Sequence, residues 1–103
     1  MPDFVHVLKL SDLPNGTKKA VVVSGRKIMV VNANGQYFAM DDACSHAGCA
    51  LSTEGMVDGE TITCGCHGSQ FDLSTGAVLA PPAYVPMKIY HVKVEGDSLL
   101  VEL

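Results

Sequence analysis

The sequence predicts an all-β domain of antiparallel sheets, a barrel or sandwich built from the two ends of the chain. Three observations predict it. Runs of β-branched and aromatic residues alternate with turn residues such as Asn-Gly and Ser-Gly. No long window repeats its apolar residues with the 3.6-residue period of a helix. Ten Gly and five Pro in 103 residues interrupt the chain often, which suits many short elements joined by turns.

In chain order, Phe4 to Leu10 is a strand of apolar and β-favouring residues, followed by a helical turn or loop over Ser11-Asp12-Leu13-Pro14 and a tight turn at Asn15-Gly16. Lys19 to Val23 and Lys27 to Val31 are β-branched runs that flank Ser24-Gly25-Arg26, and this reads as a hairpin. Asn32-Ala33-Asn34-Gly35 is a further turn before a strand over Tyr37 to Met40. Near the end, strands over Lys88 to Glu95 and Ser98 to Leu103 flank the turn Gly96-Asp97. Between these outer segments lies a different stretch, Asp41 to Ala83, rich in Gly, Ser, Thr and Cys. Only Thr61 to Thr63 and Gln70 to Asp72 read as short strands there. Some forty residues with little regular structure are unusual in a compact domain unless something other than packing orders them. A metal centre does this, so residues 41–83 are expected to form a cluster-binding subdomain within a single domain, 1–103.

Composition narrows the function. Hydrophobic residues make up 48% of the chain and charged residues 17%, a globular and not a disordered balance. The formal charge is −4 and the isoelectric point about 5.4, with no basic run, so nucleic acid is not an expected partner. A mildly acidic surface suits docking on a basic patch of another protein, although so small a surplus carries little partner information. No basic segment followed by an apolar one marks a secretory signal, and no apolar stretch approaches the ~20 residues of a membrane span. A soluble, cytoplasmic, monomeric protein is expected. No nucleophile–base pair, phosphate loop or dinucleotide fingerprint is present, so the chain by itself is not expected to be an enzyme. Four Cys in such a chain favour metal or redox chemistry over a disulfide scaffold.

The cysteines fall in two short boxes, Cys44-Ser-His46-Ala-Gly-Cys49 and Cys64-Gly-Cys66-His67-Gly-Ser69. Each offers a thiolate and an imidazole within two or three residues. A [2Fe–2S] rhomb takes two protein ligands per iron, and two Cys with two His suit a cluster in which His replaces Cys on one iron. Gly48, Gly65 and Gly68 let such loops fold closely around a cluster. Cys66 is the spare cysteine of the second box, two residues from Cys64. Cys49 is likewise spare in the first box, and a Cys49–Cys66 disulfide tying the loops is expected. Competing readings are structural zinc, a plant-type all-Cys cluster and plain disulfides. The Cys-x-His spacing is unlike a zinc knuckle, the Cys-x₂-Cys that must follow Cys44-x₄-Cys49 is absent, and the lack of a visible signal disfavours a disulfide framework.

These residues resemble the Rieske family: Cys44-x-His46, then Cys64-x₂-His67 inside Cys64-Gly-Cys66-His67-Gly-Ser69-Gln70-Phe71-Asp72. The stretch Val7 to Gly16 is similar to the opening of small Rieske ferredoxins, and Ala80-Pro81-Pro82-Ala83 to the proline loop that covers the cluster in this family. The resemblance implies three antiparallel sheets with a cluster-binding subdomain, Cys44 and Cys64 on the buried iron, and His46 and His67 on the outer iron. Cys49 and Cys66 resemble the loop disulfide of respiratory and photosynthetic members, which dioxygenase-type ferredoxins usually lack. Ser69 matches the residue whose hydroxyl bonds a cluster sulfide in high-potential members. Phe71 stands where those members carry Tyr, and the missing hydroxyl implies a potential below the top of the roughly −150 to +300 mV range. Phe71 is also readable as plain core packing. With exposed imidazoles, the potential should fall as pH rises through their oxidised-state pKa, by about 59 mV per pH unit for one proton per electron.

The function implied is a soluble one-electron carrier passing electrons between redox proteins. More specific readings are the ferredoxin component of a multicomponent aromatic-ring dioxygenase, fed by a flavin reductase, and the small subunit of a nitrite reductase. A zinc-stabilised interaction module is the reading from another class. His6 and His91 lack ligand spacing and read as structural or solvent-exposed; Met29, Met40, Met56 and Met87 read as packing residues; Lys18, Lys19, Arg26 and Lys27 read as solvated loop or strand-end charges.

Overall fold

The computed structural model describes residues 4–42, 50–65, 68–81 and 85–102. Strand β1 (Phe4–Lys9) runs into a single 3₁₀ turn at Leu10–Asp12. The strands β2 (Lys18–Val23), β3 (Arg26–Ala33) and β4 (Gln36–Asp41) follow as an antiparallel meander. The β2–β3 turn contains only Ser24 and Gly25, both at positive φ (51° and 78°), the two-residue geometry whose twist matches that of its strands. Arg26 therefore belongs to β3 and not to the turn.

The middle of the chain is more regular than its composition suggests. It holds a one-turn helix, α1 (Leu51–Glu54), and a second meander of β5 (Gly55–Asp58), β6 (Thr61–Cys64), β7 (Gln70–Asp72) and β8 (Val78–Ala80). The single strand expected over Lys88 to Glu95 is two: β9 (Ile89–Tyr90) and β10 (Val92–Glu95), parted at His91. Because β9 pairs with β4 and β10 pairs with β11 (Ser98–Glu102), His91 is where the chain passes from one sheet to another.

Three antiparallel sheets result, in the strand orders β1-β11-β10, β2-β3-β4-β9 and β5-β6-β7-β8. The apolar run in β3 explains their stacking. Ile28 and Val30 point into one core with Leu8, Leu13, Ala39, Tyr90, Leu99 and Val101. Met29 and Val31 point into the other, with Met40, Leu51, Ile62, Cys64, Phe71 and Met87. A strand buried on both faces needs no polar alternation. Each of those large side chains contributes about 1.5–3 kcal/mol by leaving water. Met29, Met40 and Met87 are packing residues as expected, whereas Met56 is 72% exposed and lies outside both cores.

The β7–β8 turn is built around Asp72, whose Oδ1 accepts from the Ser74 hydroxyl (2.6 Å) and N–H (2.8 Å). The Ser74 hydroxyl and N–H hold this carboxyl below the usual 3.8, with a smaller assist from the Thr75 N–H. The next residue but three, Gly76, receives the chain before β9: the Met87 N–H bonds its carbonyl at 2.8 Å. Gly76 has φ +77°, and a Cβ there would lie 2.1 Å from the Met87 carbonyl oxygen. Gly76→Ala is expected to destabilise by at least about 2 kcal/mol, from backbone strain and the clash with main chain together. Gly25→Ala, at similar φ but with open space around it, should lose about 1 kcal/mol. Urea denaturation of the two variants checks the difference; equal losses would contradict it.

Candidate metal centre

Strand pairing brings the sequence motifs to one end of the β5–β8 sheet. Cys64, the last residue of β6, sits opposite Gly55, the first of β5. Gln70, the first of β7, sits opposite Ala80, the last of β8. The segment that enters β5 through α1, the β6–β7 loop and the segment after β8 therefore share that end. They carry the described flanks of the two ligand boxes and Pro81, the first proline of the proline loop.

The feet of both boxes are tied by hydrogen bonds. For the second, the Cys64 N–H donates to the Ser69 carbonyl at 2.7 Å and the Gly68 N–H to the Cys64 carbonyl at 2.9 Å. Gly68, at φ +79°, takes the left-handed conformation that this short loop requires. For the first, the Leu51 N–H donates to the Asp42 carbonyl at 2.7 Å, and Ser52 donates its N–H to Asp42 Oδ1 at 2.7 Å and its hydroxyl to Oδ2 at 3.0 Å. The Asp42 N–H donates to the Lys27 carbonyl (3.1 Å), and Lys27 Nζ lies 3.3 Å from Oδ2. Residues 42 and 51–52 are thus held together across the box, and both are held to β3.

Of the sequence-predicted site residues, Cys64 is fully buried in the core between the two larger sheets, and its thiol is free. Ser69 and Phe71 are fully buried, and Pro81 is exposed. Cys44, His46, Gly48, Cys49, Cys66, His67 and Pro82 lie outside the described residues. What is described fits an iron–sulfur cluster: a buried thiol at the convergent end, a buried hydroxyl-bearing residue in the same loop, and firm feet for both boxes. Among the described residues no buried side-chain nitrogen or oxygen lacks a hydrogen-bond partner. Asp42 and Ser52 escaped the sequence reading, and Lys27 reads there only as a solvated charge. Asp41 and Asp42 are adjacent and identical in type, and nothing local tells which one is buried. Lys27 is 58% exposed, but its ammonium pairs with the buried carboxylate instead of being merely solvated.

A Rieske [2Fe-2S] domain model matches residues 3–91. The chain belongs to the Rieske family. This Rieske chain is 32% identical over 99 residues to the biphenyl dioxygenase ferredoxin subunit of Pseudomonas sp. strain KKS102, covering 96% of this chain and 91% of that one. Among solved structures it is similar to the ferredoxin of carbazole 1,9a-dioxygenase from Nocardioides aromaticivorans IC177, with TM-score 0.89, 36% identity and 95% of both chains covered. It is equally similar to the ferredoxin-sized chain in a complex of reduced oxygenase and oxidised ferredoxin of carbazole 1,9a-dioxygenase, with TM-score 0.89, 32% identity, and 96% of this chain and 92% of that one covered. The protein is an electron carrier with one Rieske-type [2Fe–2S] cluster. No helix among its described residues is long and apolar enough to cross a membrane.

Beside the first box, the Rieske chain carries a second carboxylate contact. The Tyr90 hydroxyl donates to Asp41 Oδ1 at 2.6 Å, joining β9 to the end of β4. Burial first, then the Asp41 bond, raise the Tyr90 phenol above 10.0, against an opposing pull from Arg26. The neutral phenol's contribution to stability is therefore present below pH 10 and is lost as pH rises through the folded-state value. Ultraviolet titration should show a tyrosine ionising above 10.0 that is missing in Tyr90→Phe; a titration curve unchanged in that high range would contradict the assignment.

Proposed function

We propose that this chain is the ferredoxin component of a ring-hydroxylating dioxygenase system, a cytoplasmic monomer that takes electrons from a flavin reductase and gives them to an oxygenase. The similarity to stand-alone dioxygenase ferredoxins over nearly the full length of both chains carries this reading. Such ferredoxins act by meeting two partners in turn, and the acidic charge of −4 favours encounter with basic patches.

In this reading Cys44 and Cys64 hold one iron, and His46 and His67 hold the other. The cluster supplies one-electron storage. The burial of Cys64 supports the sulfur side facing the core, with the imidazoles on the outward side as the exchange route. Gly48, Gly68, Pro81 and Pro82 shape the enclosing loops, and Ser69 supplies a hydroxyl on the buried side. Phe71 fills the core with a ring that has no hydroxyl to give, which supports a potential below the top of the roughly −150 to +300 mV Rieske range. Cys49 and Cys66, one spare cysteine in each box, are read as a loop-tying disulfide. The separation is short and the cluster would already restrain the loop ends, so the bond is assigned no large folding energy and serves to hold the loops.

The ligand set is tested by iron and acid-labile sulfide analysis of single variants. Cys44→Ala, Cys64→Ala and His67→Ala should each lose the two irons found in the wild type, while Cys49→Ser should keep them with an altered potential. Complete iron loss in Cys49→Ser would make Cys49 a ligand and overturn the assignment. A clearly positive wild-type midpoint potential would overturn the dioxygenase role and favour respiratory-type chemistry.

A further inference from the structure

Asp42 is fully buried, and its polar atoms are used. Its main chain bonds the Lys27 carbonyl and the Leu51 N–H, and its carboxylate accepts from the Ser52 N–H and hydroxyl and faces Lys27 Nζ at 3.3 Å. Much of this could be done by a neutral residue: the Ser52 N–H needs only one oxygen, and an amide supplies it. A buried carboxylate, by contrast, loses several kcal/mol of hydration, which its partners must offset. The negative charge is thus the feature that loop closure alone does not explain.

Its surroundings are asymmetric. The Lys27 side chain is 58% exposed and the Asp42 side chain 0%. Water screens the ammonium, while little screens the carboxylate, so the pair presents a net negative field toward the interior. Cys44 is two residues further along the chain, which places its Cα within about 7 Å of that of Asp42. That is inside a Debye length even in physiological salt.

We propose that Asp42 is a positioning residue for the first ligand box and that its buried charge, only partly balanced by Lys27, lowers the reduction potential of the cluster. This rests on the reading that Cys44 and His46 hold the cluster. A nearby negative charge favours the oxidised state, which carries one more positive charge than the reduced state. Ser52 and Lys27 hold the carboxylate in place, and Lys27 sets how much of its charge is left uncompensated.

The test is the midpoint potential of the cluster-loaded protein at pH 7. Asp42→Asn, similar in shape and neutral, should raise the potential. Lys27→Met should lower it, by less, and this second shift should shrink at high salt while the first persists. A purely structural role would not produce shifts of opposite sign. Ser52→Ala, which loosens the foot of the box, should lose iron to a chelator several-fold faster than the wild type. Unmoved potentials, or shifts of the same sign, in variants with the wild-type electron paramagnetic resonance spectrum would overturn this proposal alone. Should Asp42→Asn fail to fold, Lys27→Met at its exposed site decides the matter: an unchanged or raised potential sinks the idea. Retention of the cluster in Cys44→Ala would instead overturn the ligand assignment, and this proposal with it.

Discussion

Strand β3 is buried on both faces, and the rest of the molecule is arranged around that constraint. Ile28 and Val30 require cover on one side, which the β1-β11-β10 sheet provides, and Met29 and Val31 require it on the other, which the β5–β8 sheet provides. Hydrogen bonds to β2 and β4 along both edges satisfy the strand's main chain. A rigid central layer results, and both ligand boxes hang from elements packed on it. The first leaves the end of β4, and the second leaves the end of β6, whose Ile62 and Cys64 lie in the same core as Met29.

An electron carrier benefits from this arrangement because transfer is fast only when little has to move. The boxes themselves are short and rich in small residues, and packing of their own side chains would not order them. The described residues supply firm feet: Asp42 and Ser52 for one box, and Cys64, Gly68 and Ser69 for the other. The Tyr90–Asp41 bond adds a third tie where β9 meets β4. Short hydrogen bonds from stiff strands therefore fix where each box leaves and rejoins the fold.

The outer strands were legible in the sequence as runs of β-branched or aromatic residues, several of them bounded by a Gly turn, and the hairpin at Ser24-Gly25 follows from the left-handed conformation its turn residues accept. The four ligand candidates were legible because Cys and His at such spacing have few other uses. The inner meander was harder. Gly55–Asp58 and Val78–Ala80 are three- or four-residue strands with Gly, Asp or Ala among them, and their strand form comes from pairing with β6 and β7 and not from local propensity. The break at His91 was invisible because Ile89 to Glu95 alternates well enough for one strand; only the presence of two different partner sheets parts it. Met56 looked like a packing residue, but it is mostly exposed and belongs to neither core among the described residues.

Charge was the least legible feature. A sequence shows two adjacent aspartates and a strand-end lysine, and the default for each is the solvent. The fold separates them. Asp41 turns to a tyrosine hydroxyl, while Asp42 turns inward to a serine and a half-solvated ammonium. The difference follows from alternation along the chain as β4 ends: successive side chains point to opposite faces, and only that of Asp42 meets Ser52 and Lys27. The buried one is stabilised by partners drawn from β3 and α1, elements that meet only in the folded state. Its hydration loss is accepted for the two results the carboxylate gives together, a closed foot for the ligand loop and a fixed negative charge beside it. A neutral side chain would supply the first without the second, and this separability makes the electrostatic role of Asp42 distinct from its role in the fold.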